Sequence, residues 1–130
     1  IAVTSLEECD DLEEEIQDRF GDLPAAVRNL LQVARAKVLA KFVGVSSVSV
    51  QRGSFVIRLL EGLSLDNLVY TNLVRKFRGR VTYRHGRIPQ LRMTKAPSDS
   101  EALAQLVQVL QFIHEGLEQA SEGKVAGRNE

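Results

Sequence analysis

Acidic side chains gather at one end of this sequence in a spacing that invites a chemical reading. Glu8, Asp11, Glu15 and Asp18 recur at intervals of three, four and three, which on a helix sets them in one column. Paired carboxylates can pass protons, but acid–base work needs an environment that moves their pKa values apart. A column on an open helical face offers no such pocket. Between Glu7 and Asp22 there are nine carboxylates and a single base, Arg19. The opposite pole lies further along, where Arg75 to Lys95 carries eight Lys or Arg and no acid. Over the whole chain 17 bases balance 17 acids, so no global charge draws it to nucleic acid or membrane. Two local poles imply a polar contact surface, although ordinary solvated faces have the same composition.

Other catalytic chemistry finds few residues. Cys9 is the only cysteine, and His85 and His114 are the only histidines. A zinc site needs about four ligands at suitable spacing, and none can be assembled, so no metal and no cofactor are expected. Cys9 falls on an apolar helical stripe, where a thiol is inert as a nucleophile. No G-x-x-x-x-G-K-[ST] or G-x-G-x-x-G loop is present to hold a phosphate. No catalytic residue is therefore assigned. A lone cysteine suits a reducing compartment. No apolar run approaches the roughly 18 residues of a membrane helix, and no signal peptide is visible. The chain reads as soluble and cytoplasmic. It opens at Ile1 without Met, which reads as a piece of something longer.

The elements that must position these residues follow from periodicity and punctuation. Ser5-Leu6-Glu7-Glu8 forms a capping box, and Leu6, Cys9, Leu12, Ile16 and Phe20 make one apolar stripe up to the stop at Gly21. That stripe centres opposite Asp18, so Glu8, Asp11, Glu15 and Asp18 face outward and Phe20 belongs to the core. Pro24 starts a second helix with Val27, Leu30, Leu31, Ala34, Val38 and Phe42 as its buried face, ended by Gly44. Val48 and Val50 alternate as in a half-buried strand, Arg52-Gly53 turns, and Phe55 to Leu59 returns. Ser64 caps a third helix containing Leu65, Leu68, Leu73 and Phe77. Val81 and Tyr83 alternate again, His85-Gly86 is a second tight turn, and Pro89 makes the returning strand an edge or delays its start. Ser98-Asp99-Ser100-Glu101 caps a last helix through Leu117. The fold class is α/β of the α+β kind: two N-terminal helices, then two ββα units, with an antiparallel sheet and helices packed on it. Residues 1–118 form one domain, and the polar tail 119–130 is expected to be disordered.

Asp18 gains nothing locally. Like charges repel along the column, and an anion near a helix C-terminus is disfavoured by roughly 0.3–1 kcal/mol. Either a cation from outside compensates, or Asp18 pairs with Arg19 or Arg28. The run Asp18-Arg19-Phe20-Gly21-Asp22-Leu23-Pro24, with Glu15 before it and Val27-Arg28-Asn29-Leu30-Leu31-Gln32-Val33-Ala34-Arg35 after it, resembles the C-terminal domain of transcription-repair coupling factors (Mfd). The likeness is specific from about Glu13 to Lys41 and holds only as a pattern to Leu117. It implies a non-catalytic domain of an ATP-dependent DNA translocase that acts on stalled RNA polymerase and recruits excision repair. In that family the domain is a regulatory clamp on the UvrB-like N-terminal module of the same polypeptide. There it hides the UvrA-binding surface and restrains the motor. The resemblance puts the docking acids at Glu15 and Asp18, with Asp11 and Glu8 beside them in the column.

The basic pole supports a rival reading. Arg80, Arg84, Arg87 and Arg92 on the second hairpin, with Tyr83 between them, could contact a nucleic-acid backbone. These bases alternate with apolar positions, so outward-facing strand residues of no function fit the same pattern. At 5% aromatic residues and no Trp, stacking platforms are poor. A third reading is a purely structural domain.

Overall fold

The computed structural model describes residues 4–128. The elements run α1 (Leu6–Phe20), α2 (Ala25–Val43), β1 (Val45–Gln51), β2 (Ser54–Leu59), α3 (Asn67–Lys76), β3 (Val81–Arg84), β4 (Gln90–Thr94) and α4 (Asp99–Arg128). The order matches the sequence reading. At the start of α1 the Glu8 N–H donates to Ser5 Oγ at 3.1 Å, and at the start of α4 the Glu101 N–H donates to Ser98 Oγ at 3.2 Å, the serine half of each expected capping box; the Glu8 carboxylate turns to Thr4 instead of the Ser5 N–H. The start of α3 differs. Asp66 rather than Ser64 is its cap, accepting from the Leu68 N–H at 2.9 Å, because a carboxylate two residues nearer the first turn reaches the free donor.

Both hairpins merge into one antiparallel sheet of order β1-β2-β4-β3. The first turn is as tight as expected, with positive φ at both Arg52 (49°) and Gly53 (76°), the backbone of a two-residue hairpin loop. The second is a longer loop over residues 85–89. Pro89 delays the strand, and its carbonyl accepts from the Leu59 N–H at 2.8 Å, so β4 is central and not an edge. At the α2–β1 junction Gly44 takes a φ of 91° and lies against Leu63. An added Cβ there would meet Leu63 Cδ1 at 2.7 Å.

One face of the sheet is covered. Phe55, Ile57 and Leu59 of β2, Leu91 and Met93 of β4 and Val81 of β3 join Leu39, Val43, Val69, Leu73, Leu106, Val109, Leu110 and Ile113 in a single apolar cluster. Cys9, Leu23, Leu31, Ala34 and Val38 are buried outside that cluster, which gives the α1–α2 hairpin a small satellite core. The other sheet face has no helix on it. Cross-strand register lays out two rows there, Ser49-Val56-Arg92-Thr82 and Ser47-Arg58-Gln90-Arg84.

Several apolar side chains assigned to the core are exposed: Phe20 at 78%, with Leu30, Phe42 and Leu68 also more than half open. Val48 and Val50 share the covered side of the sheet with their partners Ile57 and Phe55, yet are open as well, because β1 is the outer strand and α2 meets it only near its start. Leu68 lies at the lip of a groove of about 320 Å³ between α3 and α4. The tail expected to be disordered differs too, since α4 continues helical to Arg128. Gln119, Ala120 and Glu122 are good helix formers, and extending a helix already packed as far as Leu117 costs little compared with nucleating one.

Candidate functional site

The α1 carboxylates divide into two sets. Asp10 and Glu13, on the inner flank, both accept from Arg35 of α2, at 3.0 and 3.1 Å, and the Arg35 side chain is only 15% exposed. This fork ties α1 to α2. The outer column of Glu8, Asp11, Glu15 and Asp18 is exposed throughout, as its helical phase predicts. Its members are not equivalent. Glu8 is engaged locally, its carboxylate accepting from the Thr4 N–H at 2.9 Å and from the Thr4 hydroxyl at 3.1 Å. Glu15 makes a loose i,i+4 pair with Arg19 at 3.5 Å, both largely exposed, an arrangement worth only a few tenths of a kcal/mol. Asp11 and Asp18 enter none of the ion pairs or side-chain hydrogen bonds among the described residues, so Asp18 pairs with neither Arg19 nor Arg28.

Phe20, placed in the core by its periodicity, is instead open at the end of α1, on the side of the helix away from this column. Gly21 closes the helix just after it, its N–H donating to the Gln17 carbonyl at 2.8 Å. The stripe it belongs to outruns α2, which covers Cys9 fully and Leu12 and Ile16 partly. The result is an acidic ridge on one side of α1 and an uncovered aromatic at the end of the other. Charge pattern alone could not reveal that exposure. The sign in the sequence is the proximity of Phe20 to a chain reversal, where a neighbouring helix no longer runs alongside.

Cys9 is fully buried. Burial pushes its thiol pKa up, partly offset by the nearby Arg35 guanidinium, so the thiol stays protonated and inert, as expected of a cysteine on an apolar stripe. The two histidines are far apart in role. His114 stacks on Phe42 with ring centroids 4.9 Å apart, and His85 packs edge-on to Tyr83 at 4.6 Å. Among the described residues no three His, Cys, Asp or Glu side chains are grouped to hold a metal. No helix among them is long and apolar enough to cross a membrane.

The basic residues separate as well. Arg84 and Arg92 point from the open sheet face, with Arg80 at its rim beside Thr94. Arg87 does not join them. It lies in the 85–89 loop, off the open face, and pairs with Glu61 at 3.1 Å. Arg58, missed in the sequence, takes its place in the same row as Arg84. Tyr83 faces the other way, its hydroxyl accepting from the Leu65 N–H at 3.3 Å.

No curated protein matches the chain. Residues 1–68, more than half of the 130, match the TRCF domain, a stretch that contains α1, its acidic ridge, α2 and the first hairpin. The chain belongs to the TRCF domain family, a non-catalytic domain of transcription-repair coupling factors.

Proposed function

We propose that this domain is a regulatory clamp that docks its α1 ridge on arginines of the UvrB-like N-terminal module of its own polypeptide. Docked, it masks the surface that UvrA binds and restrains the ATP-driven DNA translocase to which it is joined; released, it exposes that surface for repair. The observation that carries the reading is the unpartnered state of Asp18, with Asp11 and the weakly held Glu15 beside it. Carboxylates that repel one another along a helix and, among the described residues, find no cation beyond the loosely held Arg19 are complementary to a basic partner. Phe20, open on the other side of the same helix end, offers the apolar area that charge alone lacks to a partner that wraps the C-terminal end of α1. Glu8 is the weakest member of the set, since its carboxylate already serves the start of α1.

Magnitudes suit a releasable contact. Truncating one partner of a close interfacial ion pair costs about 2–5 kcal/mol, whereas an exposed pair contributes about 0–1. A tether raises the local concentration to the mM range, so weak contacts suffice to hold the clamp and still let it open. Calorimetry of this chain against the isolated N-terminal module, at low and high salt, tests the proposal. Binding that weakens with salt and disappears in E15A/D18A, at an unchanged melting temperature, is the expected result. Undiminished binding by that double variant would remove these residues from the interface.

A further inference from the structure

The open face of the sheet remains unassigned by the clamp. No strand contains an Asp or Glu, and the face presents Arg58, Arg84 and Arg92, with Arg80 at one corner. Two acids that follow β2 and β4 in the chain are engaged elsewhere, Glu61 with Arg87 and Asp99 with Lys95. Arg84 and Arg92 thus have no carboxylate partner among the described residues, and Arg58 donates only to Ser49 Oγ, at 3.4 Å. Neighbouring strands lie about 4.8 Å apart, which sets these guanidinium groups roughly one to two strands from each other on a nearly flat surface. Between them is a shallow depression of about 180 Å³, lined by Thr82, Tyr83, Arg84, Gln90 and Arg92.

What lies between the charges identifies the partner. The neutral polar side chains on this face are Ser47, Ser49, Gln51, Ser54, Thr82, Gln90 and Thr94, hydrogen-bonding groups able to donate to phosphate oxygens. All the charged groups are guanidinium, which meets phosphate through two parallel N–H donors. Val56 is the one apolar residue in the rows, and it is 1% exposed; the arginine stems bordering it along and across the strands have the reach to cover it. A docking protein would find no apolar anchor here, and a single strand would find no ring on which to stack a base. We infer that the open sheet face binds the phosphate backbone of duplex nucleic acid, without sequence preference, through Arg58, Arg84 and Arg92.

The test is fluorescence anisotropy of the full 130-residue chain with a labelled mixed-sequence DNA duplex. Three neutralised phosphates give a slope of about −3 in log affinity against log salt. R84E/R92E should weaken binding by roughly 30-fold or more and R84Q/R92Q by about tenfold. Arg58 is left in place because it borders the buried Val56 on the same strand. R75E/R87E alters the net charge as much as R84E/R92E but lies off the face, and should stay within about twofold of the parent chain. Circular dichroism checks that each variant is folded. Absence of binding at low salt, equal loss in both Glu pairs, or displacement by polyglutamate as readily as by unlabelled duplex would each overturn the inference, the last in favour of an acidic protein partner. E15A/D18A should bind the duplex normally, so failure here and failure of the clamp are read separately.

Discussion

The acidic ridge of α1 and the basic face of the sheet differ by more than sign. On α1, Asp11, Glu15 and Asp18 line one side of a helix whose other side ends in an exposed phenylalanine. On the sheet, Arg58, Arg84 and Arg92 are separated by hydroxyls and an amide, with the lone valine hidden. Charge sets attraction and rate, but a stable, specific protein contact also needs apolar area removed from water. A helix that offers acids on one side and an open aromatic on the other is suited to another protein. A charged face that lacks any aromatic is suited to a solvated polyanion, which offers no apolar surface to match.

The sharpest way to break that contrast is to reverse one pole and read both. E15R/D18R should lower affinity for the N-terminal module by about 100-fold or more, from like charges facing at two positions, while duplex binding stays or rises. Phe20→Ala comes next. It should weaken docking about tenfold, the scale of a modest hot spot, and leave the unfolding free energy of the isolated chain within about 0.5 kcal/mol, as for an exposed position. Equal loss in docking and stability would mean that Phe20 packs in solution and is no anchor. Arg35→Ala tests the inner acids against the outer ones. Loss of its two carboxylate bonds should cost about 1–2 kcal/mol in urea unfolding and weaken docking only through a looser α1.

The smallest effect concerns Cys9. Its raised pKa means that the folded chain keeps this proton where the unfolded thiol has lost it. Stability from this group is therefore complete below the ordinary thiol pKa and declines as pH rises through it toward the folded value. Urea unfolding across that window should show a decline that Cys9→Ala lacks, and a thiol reagent should react with the native chain far more slowly than with the unfolded one.

Element order, caps and the first hairpin turn were legible in the sequence because each is a local event: Ser5 and Ser98 need only the amide three residues on, and Arg52-Gly53 needs only its own dihedrals. Burial was less legible. Periodicity says which side chains share a face, but whether anything covers that face depends on elements distant in sequence. Phe20 and Leu30 lie beyond the reach of their partner helix, and Val48 and Val50 lie on an edge strand. The outward phase of Glu15 and Asp18 could be read from the column itself. Arg58 could not, since the unbroken apolar run Phe55-Val56-Ile57 hides which way β2 alternates, and only pairing with β4 fixes it. Arg87 lies off the strand phase because the loop has five residues and not two.

The satellite core under α1 has a consequence for motion. Cys9, Leu23, Leu31, Ala34 and Val38 are few, and the main cluster of the sheet and α4 is complete without most of them. Such a unit can open on its own, at a free energy below that of global unfolding. Amides of α1 should then exchange with deuterium ahead of those in β2, β4 and the middle of α4, and a docked partner should slow that exchange selectively. The helix that presents the ridge would be stiffened by what it holds.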